Sequence, residues 1–176
     1  MSTLDPKLNP AGLARDVLKY YLEEGQLPKI PDTLPPEYQV QAGVFVSLKK
    51  AGQLRGCIGT FEPVRKNLAE EIANNAVCAA VRDPRFPPVS REELPALTVS
   101  VDILGSLEPI KSVNELDPKK YGVLLRSGSK SGLLLPDIEG INTVDEQVDI
   151  ARRKAGIAPG EPVEIYRFNV IRHCEK

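Results

Sequence analysis

The sequence predicts an α+β fold with a mostly antiparallel sheet flanked by helices. Strand-like stretches occur in neighbouring pairs joined by short connections that contain glycine, as in antiparallel hairpins. Amphipathic helical stretches separate these pairs without the regular alternation of strand and helix that a parallel sheet requires. The chain length of 176 residues lies within the usual size of one domain. We therefore expect a single α+β domain over residues 1–176.

Composition and charge exclude several classes of partner. The 23 basic residues nearly balance the 24 acidic ones, and no basic stripe is present, so we expect no binding to nucleic acid. The N-terminal MSTLDPKLNP is not a basic segment followed by an apolar run, and no apolar run is long enough to span a membrane. The three cysteines are widely spaced and odd in number, which is typical of reduced thiols rather than of a set of disulfides. These observations predict a cytoplasmic protein without membrane attachment.

End signals predict three helices. Asn9 followed by proline is typical of a helix start, and Gly25 stands where a helix ends. Thr143 and Glu146 have the spacing of a capping box, and Gly156 follows as the end signal of that helix. Between these two, apolar residues recur at helical spacing after the Phe-Glu-Pro sequence. The predicted helices span residues 10–24, 64–82 and 144–155.

The remaining apolar stretches predict strands, and proline marks the loops. The predicted strands are VFVSL (44–48), QLRGCIGT (53–60), LTVSVDILG (97–105), GVLLRS (122–127), GLLLP (132–136) and EPVEIYRFNVIRH (161–173). The stretch 27–39 is too rich in proline for a helix or a central strand. DPRFPP (83–88) is expected to be an extended, stiff loop, and Ser90 with Glu93 predicts a capping box on a short helical turn.

The heptad LRGCIGT (54–60) places candidate chemistry in a strand. Alternation along a strand puts Arg55 and Cys57 on one face. The guanidinium and the start of the following helix would both lower the pKa of the thiol. Gly56 and Gly59 leave the backbone bare for a close ligand. Alternatively, Cys57 packs as a small apolar residue, Gly59 serves a turn and Arg55 pairs with a surface carboxylate.

Other polar motifs give weaker indications. Asp83 and Arg85 flank a proline, which would present both charges at a binding edge or pair them within the loop. His173 and Cys174 are adjacent, but no metal-ligand spacing accompanies them, so we expect no metal site and no cofactor. His173 is the only histidine, and we expect it to face solvent rather than activate Cys57.

The order and spacing of several motifs resemble the AMMECR domain family, whose prokaryotic members are called AmmeMemoRadiSam system protein A. The motifs are LRGCIGT (54–60), DPRFPPV (83–89), LTVSVDILGSLEPI (97–110), GLLLP (132–136) and RRKAGI (152–157). The resemblance covers nearly the whole chain. It implies an α+β domain with two lobes and a groove between them, near LRGCIGT. It also implies a pathway shared with a Memo-like protein and a radical S-adenosylmethionine enzyme, and no particular activity.

Two classes of function follow from these residues. The first is a binding or adaptor module for a small ligand or a protein partner, which the lack of an obvious general base favours. The second is an enzyme that uses Cys57 as a nucleophile on a small anionic substrate held by Arg55 and Arg85. We expect Arg55→Ala to abolish partner or ligand binding and leave the melting temperature nearly unchanged, because a strand arginine exposed to solvent adds little stability. Candidate ligand contacts are Gly56, Gly59, Thr60, Asp83 and Arg85.

Overall fold

The computed structural model describes residues 9–175, and it confirms the α+β class with two four-stranded antiparallel sheets. The helices are α1 (Pro10–Glu24), α2 (Pro36–Gln39), α3 (Leu68–Val81) and α4 (Val144–Ala155). The strands are β1 (Val44–Lys50), β2 (Gln53–Thr60), β3 (Leu97–Leu104), β4 (Glu108–Ile110), β5 (Gly122–Ser127), β6 (Lys130–Leu134), β7 (Glu164–Phe168) and β8 (Val170–Cys174).

The chain forms two compact units. Unit 1 contains the residues up to Ile103 together with those from Arg172 onward, and unit 2 contains Leu104–Ile171. Unit 2 is therefore inserted between two parts of unit 1. The single domain over residues 1–176 stays a prediction. Within residues 9–175, no helix has the length and apolarity needed to cross a bilayer.

Unit 1 contains a sheet with two helices packed on one side. Its strand order is β2-β1-β3-β8, α3 packs on β1 and β2, and α1 packs on α3. The core consists of the inward side chains of these elements, because alternate residues of β1 and β3 are buried as a half-buried strand requires. The apolar residues that recur at helical spacing in α3 are buried: Leu68, Ile72, Ala76 and Ala79.

Helix α1 has the predicted bounds because its ends carry local signals. The Asn9 side chain accepts a hydrogen bond from the Gly12 N–H at 2.8 Å. Gly25 has a φ of 73° and donates its N–H to the Tyr21 carbonyl, which ends the helix.

The last described residues of the chain bind both α1 and β3 of unit 1. The Glu175 carboxylate accepts hydrogen bonds from the Arg15 guanidinium in α1 and, at 2.8 Å, from the Val99 N–H in β3. In β8, Arg172 forms a two-bond ion pair with the buried Asp102 of β3, at 2.7 and 3.0 Å. These contacts join β8 and the residue after it to the sheet and to α1.

Hairpin β1–β2 departs from ideal geometry at two points. Its turn is Ala51-Gly52, with φ of 49° and 78°, so the connection is shorter than the predicted KKAG. Lys49 pairs with Leu54 and Leu48 pairs with Gly56, which leaves Arg55 as the extra residue of a bulge. The bulge interrupts the alternation from which a shared face for Arg55 and Cys57 was predicted.

A helix start and a loop were predicted wrongly in unit 1. The second long helix begins at Leu68 rather than residue 64, because the Asn67 side chain accepts from the Glu70 N–H and caps the helix there. Within the predicted loop 27–39, residues 36–39 form the single turn α2. Proline is tolerated there because Pro36 occupies the first helical position, where an N–H has no helical partner.

The segment after α3 also differs from expectation. DPRF is a turn rather than an extended loop, since the Phe86 N–H donates to the Asp83 carbonyl at 3.2 Å. Glu93 forms no capping box with Ser90, because its carboxylate accepts hydrogen bonds from Arg55 and Lys50.

Unit 2 pairs its sheet with α4. The strand order is β4-β7-β5-β6, and α4 packs on β5 and β6. The predicted bounds of α4 are confirmed, with the capping box between Thr143 and Glu146 and Gly156 at a φ of 65°. The predicted final strand 161–173 is wrong as one element: it divides at Asn169 into β7 and β8, which belong to different sheets.

Candidate functional site

Cys57 lies in β2, opposite Ser47 of β1. The Ser47 hydroxyl donates to the Cys57 Sγ atom over 3.1 Å. Burial raises the pKa of the Cys57 thiol, while the Ser47 hydrogen bond and the charge of Arg85 oppose that rise. The negative charges of Asp102 and Asp83 raise the thiol pKa further. The predicted lowering of this pKa is therefore wrong, and Cys57 is a neutral thiol at pH 7.

The DPRF turn binds the backbone of Cys57. The Cys57 N–H donates to Asp83 Oδ2 at 2.9 Å, and its carbonyl accepts from Arg85 Nη2 at 3.2 Å. Strand β2 is an edge strand of its sheet, so Asp83 and Arg85 bond the backbone N–H and carbonyl groups that a further strand would otherwise bond. We call this pair of residues on the Cys57 backbone the Asp83–Arg85 clamp.

The clamp is also bonded internally. Asp83 Oδ1 accepts from the Arg85 backbone N–H at 3.1 Å and from its Nε at 2.9 Å, and Oδ2 accepts from Nη2 at 2.7 Å. The Asp83 side chain is only 2% exposed. Hydrogen bonds from Arg85 hold the pKa of this carboxyl far below its usual range. Asp83 and Arg85 therefore form an ion pair within the loop, which is one of the two alternatives expected from the sequence.

Arg55 is largely buried, contrary to the expectation that it is exposed. Its guanidinium binds both oxygens of Glu93, at 2.8 and 3.0 Å, and its side chain is 13% exposed. Lys50 donates to the same carboxylate at 3.1 Å. Hydrogen bonding by Arg55 lowers the pKa of Glu93 to about 2. Arg55 thus joins β2 to the segment that precedes β3.

Replacing Arg55 with alanine will lower stability instead of leaving it unchanged. The change removes both hydrogen bonds to Glu93 and should cost about 2 kcal/mol of unfolding free energy. The melting temperature should fall by roughly 4 to 8 °C. Thermal unfolding followed by circular dichroism measures this loss. Arg91→Ala is the control, because Arg91 pairs with Glu23 while 64% exposed; equal losses in the two variants would contradict the structural role of Arg55.

The remaining motif residues lie against protein atoms. A Cβ atom on Gly56 would lie 2.2 Å from the Ala79 carbonyl oxygen, and one on Gly59 would lie 2.3 Å from Phe45 Cγ. The Thr60 hydroxyl donates to Glu71 Oε1 at 2.5 Å. The two glycines permit close packing of β2 on its neighbours, and ligand contact by these three residues stays a prediction.

Glu71 is a structural residue that the sequence analysis missed. It is fully buried, and its Oε2 atom accepts from the backbone N–H groups of Val64 and Arg65 at 2.9 and 2.8 Å. Four residues later, Asn75 donates to the Val44 carbonyl at 3.1 Å. Two polar residues one helical turn apart, beside an apolar helical face, were the available signal. Together they attach the segment before α3 to the sheet.

Phe86 joins the two arginines of the site. Its ring centroid lies 6.0 Å from Arg55 Cζ and 5.5 Å from Arg85 Cζ, within range of cation–π attraction. Hydrogen bonds therefore join Cys57, Asp83 and Arg85, and Arg55 lies near this group through the Phe86 ring.

Other candidate positions lie elsewhere. Within residues 9–175, no group of three or more His, Cys, Asp or Glu side chains is placed to hold a metal ion, and no hydrogen bond links His173 to Cys57. Unit 2 has an open depression of about 410 Å³. It contains none of the predicted site residues and is lined by Arg126, Ser127, Gly128, Pro162, Val163 and Glu164.

The fold and the site define a class of α+β protein in which a two-residue clamp holds the backbone around a half-buried cysteine. The AMMECR1 family model matches residues 11–173. The chain belongs to the AMMECR1 family, which confirms the resemblance seen in its motifs.

Similar proteins occur in bacteria and archaea. A protein of Thermotoga maritima is 52% identical over 160 residues, covering 89% of this chain and 92% of the relative. A protein of Clostridium acetobutylicum is 51% identical over 165 residues, covering 93% of this chain but only 35% of the relative. The crystal structure of an uncharacterized protein from Pyrococcus horikoshii superimposes with a TM-score of 0.83 at 31% identity, covering 93% of this chain and 88% of that one.

Proposed function

We propose that this chain is a binding module that acts without covalent chemistry, in the cytoplasm, with a Memo-like protein and a radical S-adenosylmethionine enzyme. One observation carries the proposal: Asp83 and Arg85 bind each other and the backbone of Cys57, while Arg55 binds Glu93. They form a rigid surface at the β2 edge rather than an acid, a base and a nucleophile in mutual contact.

The state of Cys57 supports binding over catalysis. A nucleophilic cysteine needs a lowered pKa or an adjacent base. Here burial raises the thiol pKa, and the hydrogen-bond partner of Sγ is the Ser47 hydroxyl, which is not a base at neutral pH. The enzyme alternative thus lacks the activation that its first step requires.

Two further observations support the module and its location. A relative in Clostridium acetobutylicum contains a sequence like this one within 35% of its length, so a domain of this kind also occurs inside a larger protein. The partners themselves are suggested by the motif resemblance. The three cysteines are unpaired in the structure, as is usual for thiols in a reducing cytosol.

Binding to the two proposed partners tests the function directly. The purified chain is titrated by calorimetry with the Memo-like protein and the radical S-adenosylmethionine enzyme of the same organism. We expect a complex with at least one of them, weakened about tenfold by Phe86→Ala because an aromatic residue at the centre of an interface contributes strongly. Leu27→Ala is the matched control, since Leu27 is an exposed apolar residue outside the site. The absence of a complex with either protein would refute the proposal.

Thiol reactivity tests the enzyme alternative. In a Cys78→Ser, Cys174→Ser variant, Cys57 is the only thiol. Because burial raises its pKa, alkylation by iodoacetamide at pH 7.5 should be slower than that of glutathione. Its rate should rise with pH around a midpoint above that of glutathione. Rapid alkylation at pH 7 with a lower midpoint would instead support a nucleophilic Cys57.

A further inference from the structure

Arg85 is held in one orientation by contacts within the chain. Its Nε and Nη2 atoms donate to Asp83 at 2.9 and 2.7 Å, and Nη2 also reaches the Cys57 carbonyl at 3.2 Å. The Phe86 ring lies 5.5 Å from its Cζ atom. A guanidinium fixed in this way loses little conformational entropy when it binds a further group.

Arg85 also remains accessible. Its side chain is 55% exposed, and within residues 9–175 its Nη1 atom has no hydrogen-bond partner. Arg55 differs, because its side chain is 13% exposed and two of its nitrogens are bonded to Glu93. Of the two arginines predicted to hold an anion, Arg85 is therefore the one that presents a donor to solvent.

The charges around Arg85 favour a negative ligand. The Asp83 carboxylate is 2% exposed and bonds the Nε and Nη2 atoms of the guanidinium, so its oxygens are not bonded to Nη1, where an anion would approach. Nearby, Lys50 and Arg55 share the single carboxylate of Glu93, which leaves one positive charge in excess. Oxygen anions bind such groups through charge-assisted hydrogen bonds.

We infer that Arg85 anchors the oxyanion group of a small ligand, a carboxylate or a phosphate, through Nη1 beside the backbone of Cys57. This inference rests on the proposed function and specifies the chemistry that the binding module recognises. The Asp83–Arg85 clamp then has two roles: it bonds the β2 edge and it aims one guanidinium nitrogen outward.

Titration with simple anions tests the inference. Inorganic phosphate and sodium acetate are added separately to the ¹⁵N-labelled chain at constant ionic strength, with chloride as the reference salt. We expect saturable shifts in the backbone N–H signals of Cys57, Arg85 and Phe86 with at least one anion. Linear shifts that equal those in chloride would overturn the inference.

Variants assign the effect to Arg85. Arg85→Gln should weaken the anion affinity about tenfold, as expected for the loss of one charge-assisted hydrogen bond. Arg91→Gln, which removes another exposed arginine, should leave the affinity unchanged. If Arg85→Gln disturbs the turn, seen as displaced signals before titration, Arg85→Met replaces it, because methionine also removes the charge and keeps an unbranched side chain. Unchanged affinity in the variant with an intact turn would also overturn the inference.

The two proposals fail in different ways. Anion binding without a complex with either protein partner would refute the proposed function and retain the Arg85 site. A partner complex without saturable anion binding would retain the binding module and refute the Arg85 site.

Discussion

Gly56→Ala should lower the free energy of unfolding by about 3 kcal/mol, at the upper end of the range for an overpacked core. The added Cβ would lie 2.2 Å from the Ala79 carbonyl oxygen, which belongs to helix backbone and cannot rotate away. Strand β2 and helix α3 must therefore separate, and buried contacts between them are lost. Urea unfolding measures the change as a shift of the midpoint at constant slope.

Gly105→Ala is the matched control for this substitution. Its nearest neighbour would be the Asn169 carbonyl oxygen at 3.4 Å, which is at the edge of ordinary contact. We expect its midpoint to stay close to that of the wild-type protein. A loss for Gly56→Ala no larger than that of the control would show that β2 and α3 do not pack as described.

Asp83→Ala should cost about 3 kcal/mol as well, because it leaves the Cys57 N–H and the Arg85 guanidinium without their buried acceptor. The loss is smaller than for a fully buried ion pair, since the Arg85 side chain is 55% exposed and water can solvate it. Urea unfolding at pH 7 measures this change. Asp83→Asn should lose less, because its amide oxygen can still accept one of the hydrogen bonds.

The same carboxylate predicts a dependence of stability on pH. The folded state holds the pKa of Asp83 far below its value of about 3.9 in an unfolded chain. Its contribution is therefore complete above about pH 5 and is lost as the pH falls below about 4. Unfolding free energies measured from pH 7 to pH 3 should fall less steeply in Asp83→Asn than in the wild-type protein. Parallel curves would contradict this assignment.

Two helices with local signals at both ends were predicted accurately. Helices α1 and α4 have the predicted bounds because Asn9 and Thr143 cap their first turns and glycines end them. These interactions involve residues at most four positions apart, so the sequence contains all of their determinants. The start of α3 was misplaced although Asn67, with Glu70 three residues later, is a local start signal, because the Phe-Glu-Pro sequence was taken as the start instead.

Features that depend on distant partners could not be predicted. Arg55 was expected to be exposed, but it binds Glu93, which lies 38 positions away along the chain. Its bulge likewise depends on the pairing of β2 with β1. The division of the last predicted strand at Asn169 follows from membership of two sheets, which local alternation does not encode.

The candidate site also depends on distant residues that local sequence patterns do not reveal. The enzyme alternative grouped Cys57 with Arg55 and Arg85 only as a hypothesis, because no local pattern relates Cys57 to residues of the DPRF turn, and 26 positions separate it from Asp83. The sign of the shift in the Cys57 pKa was harder to predict than which residues lie near the thiol. The pKa of Cys57 rises rather than falls because burial outweighs the positive charge of Arg85.

Unit 1 is formed by two separate parts of the chain, which are synthesised before and after unit 2. Residues 104–171 are contiguous, so unit 2 has all of its strands as soon as Ile171 has emerged. Unit 1 must wait longer, because β8 and Glu175 are translated after the whole of unit 2. Until then, β3 lacks its outer neighbour and Arg15 lacks its carboxylate. While unit 2 is being synthesised, the nascent unit 1 therefore contains α1, α3, β1, β2 and β3 but lacks β8.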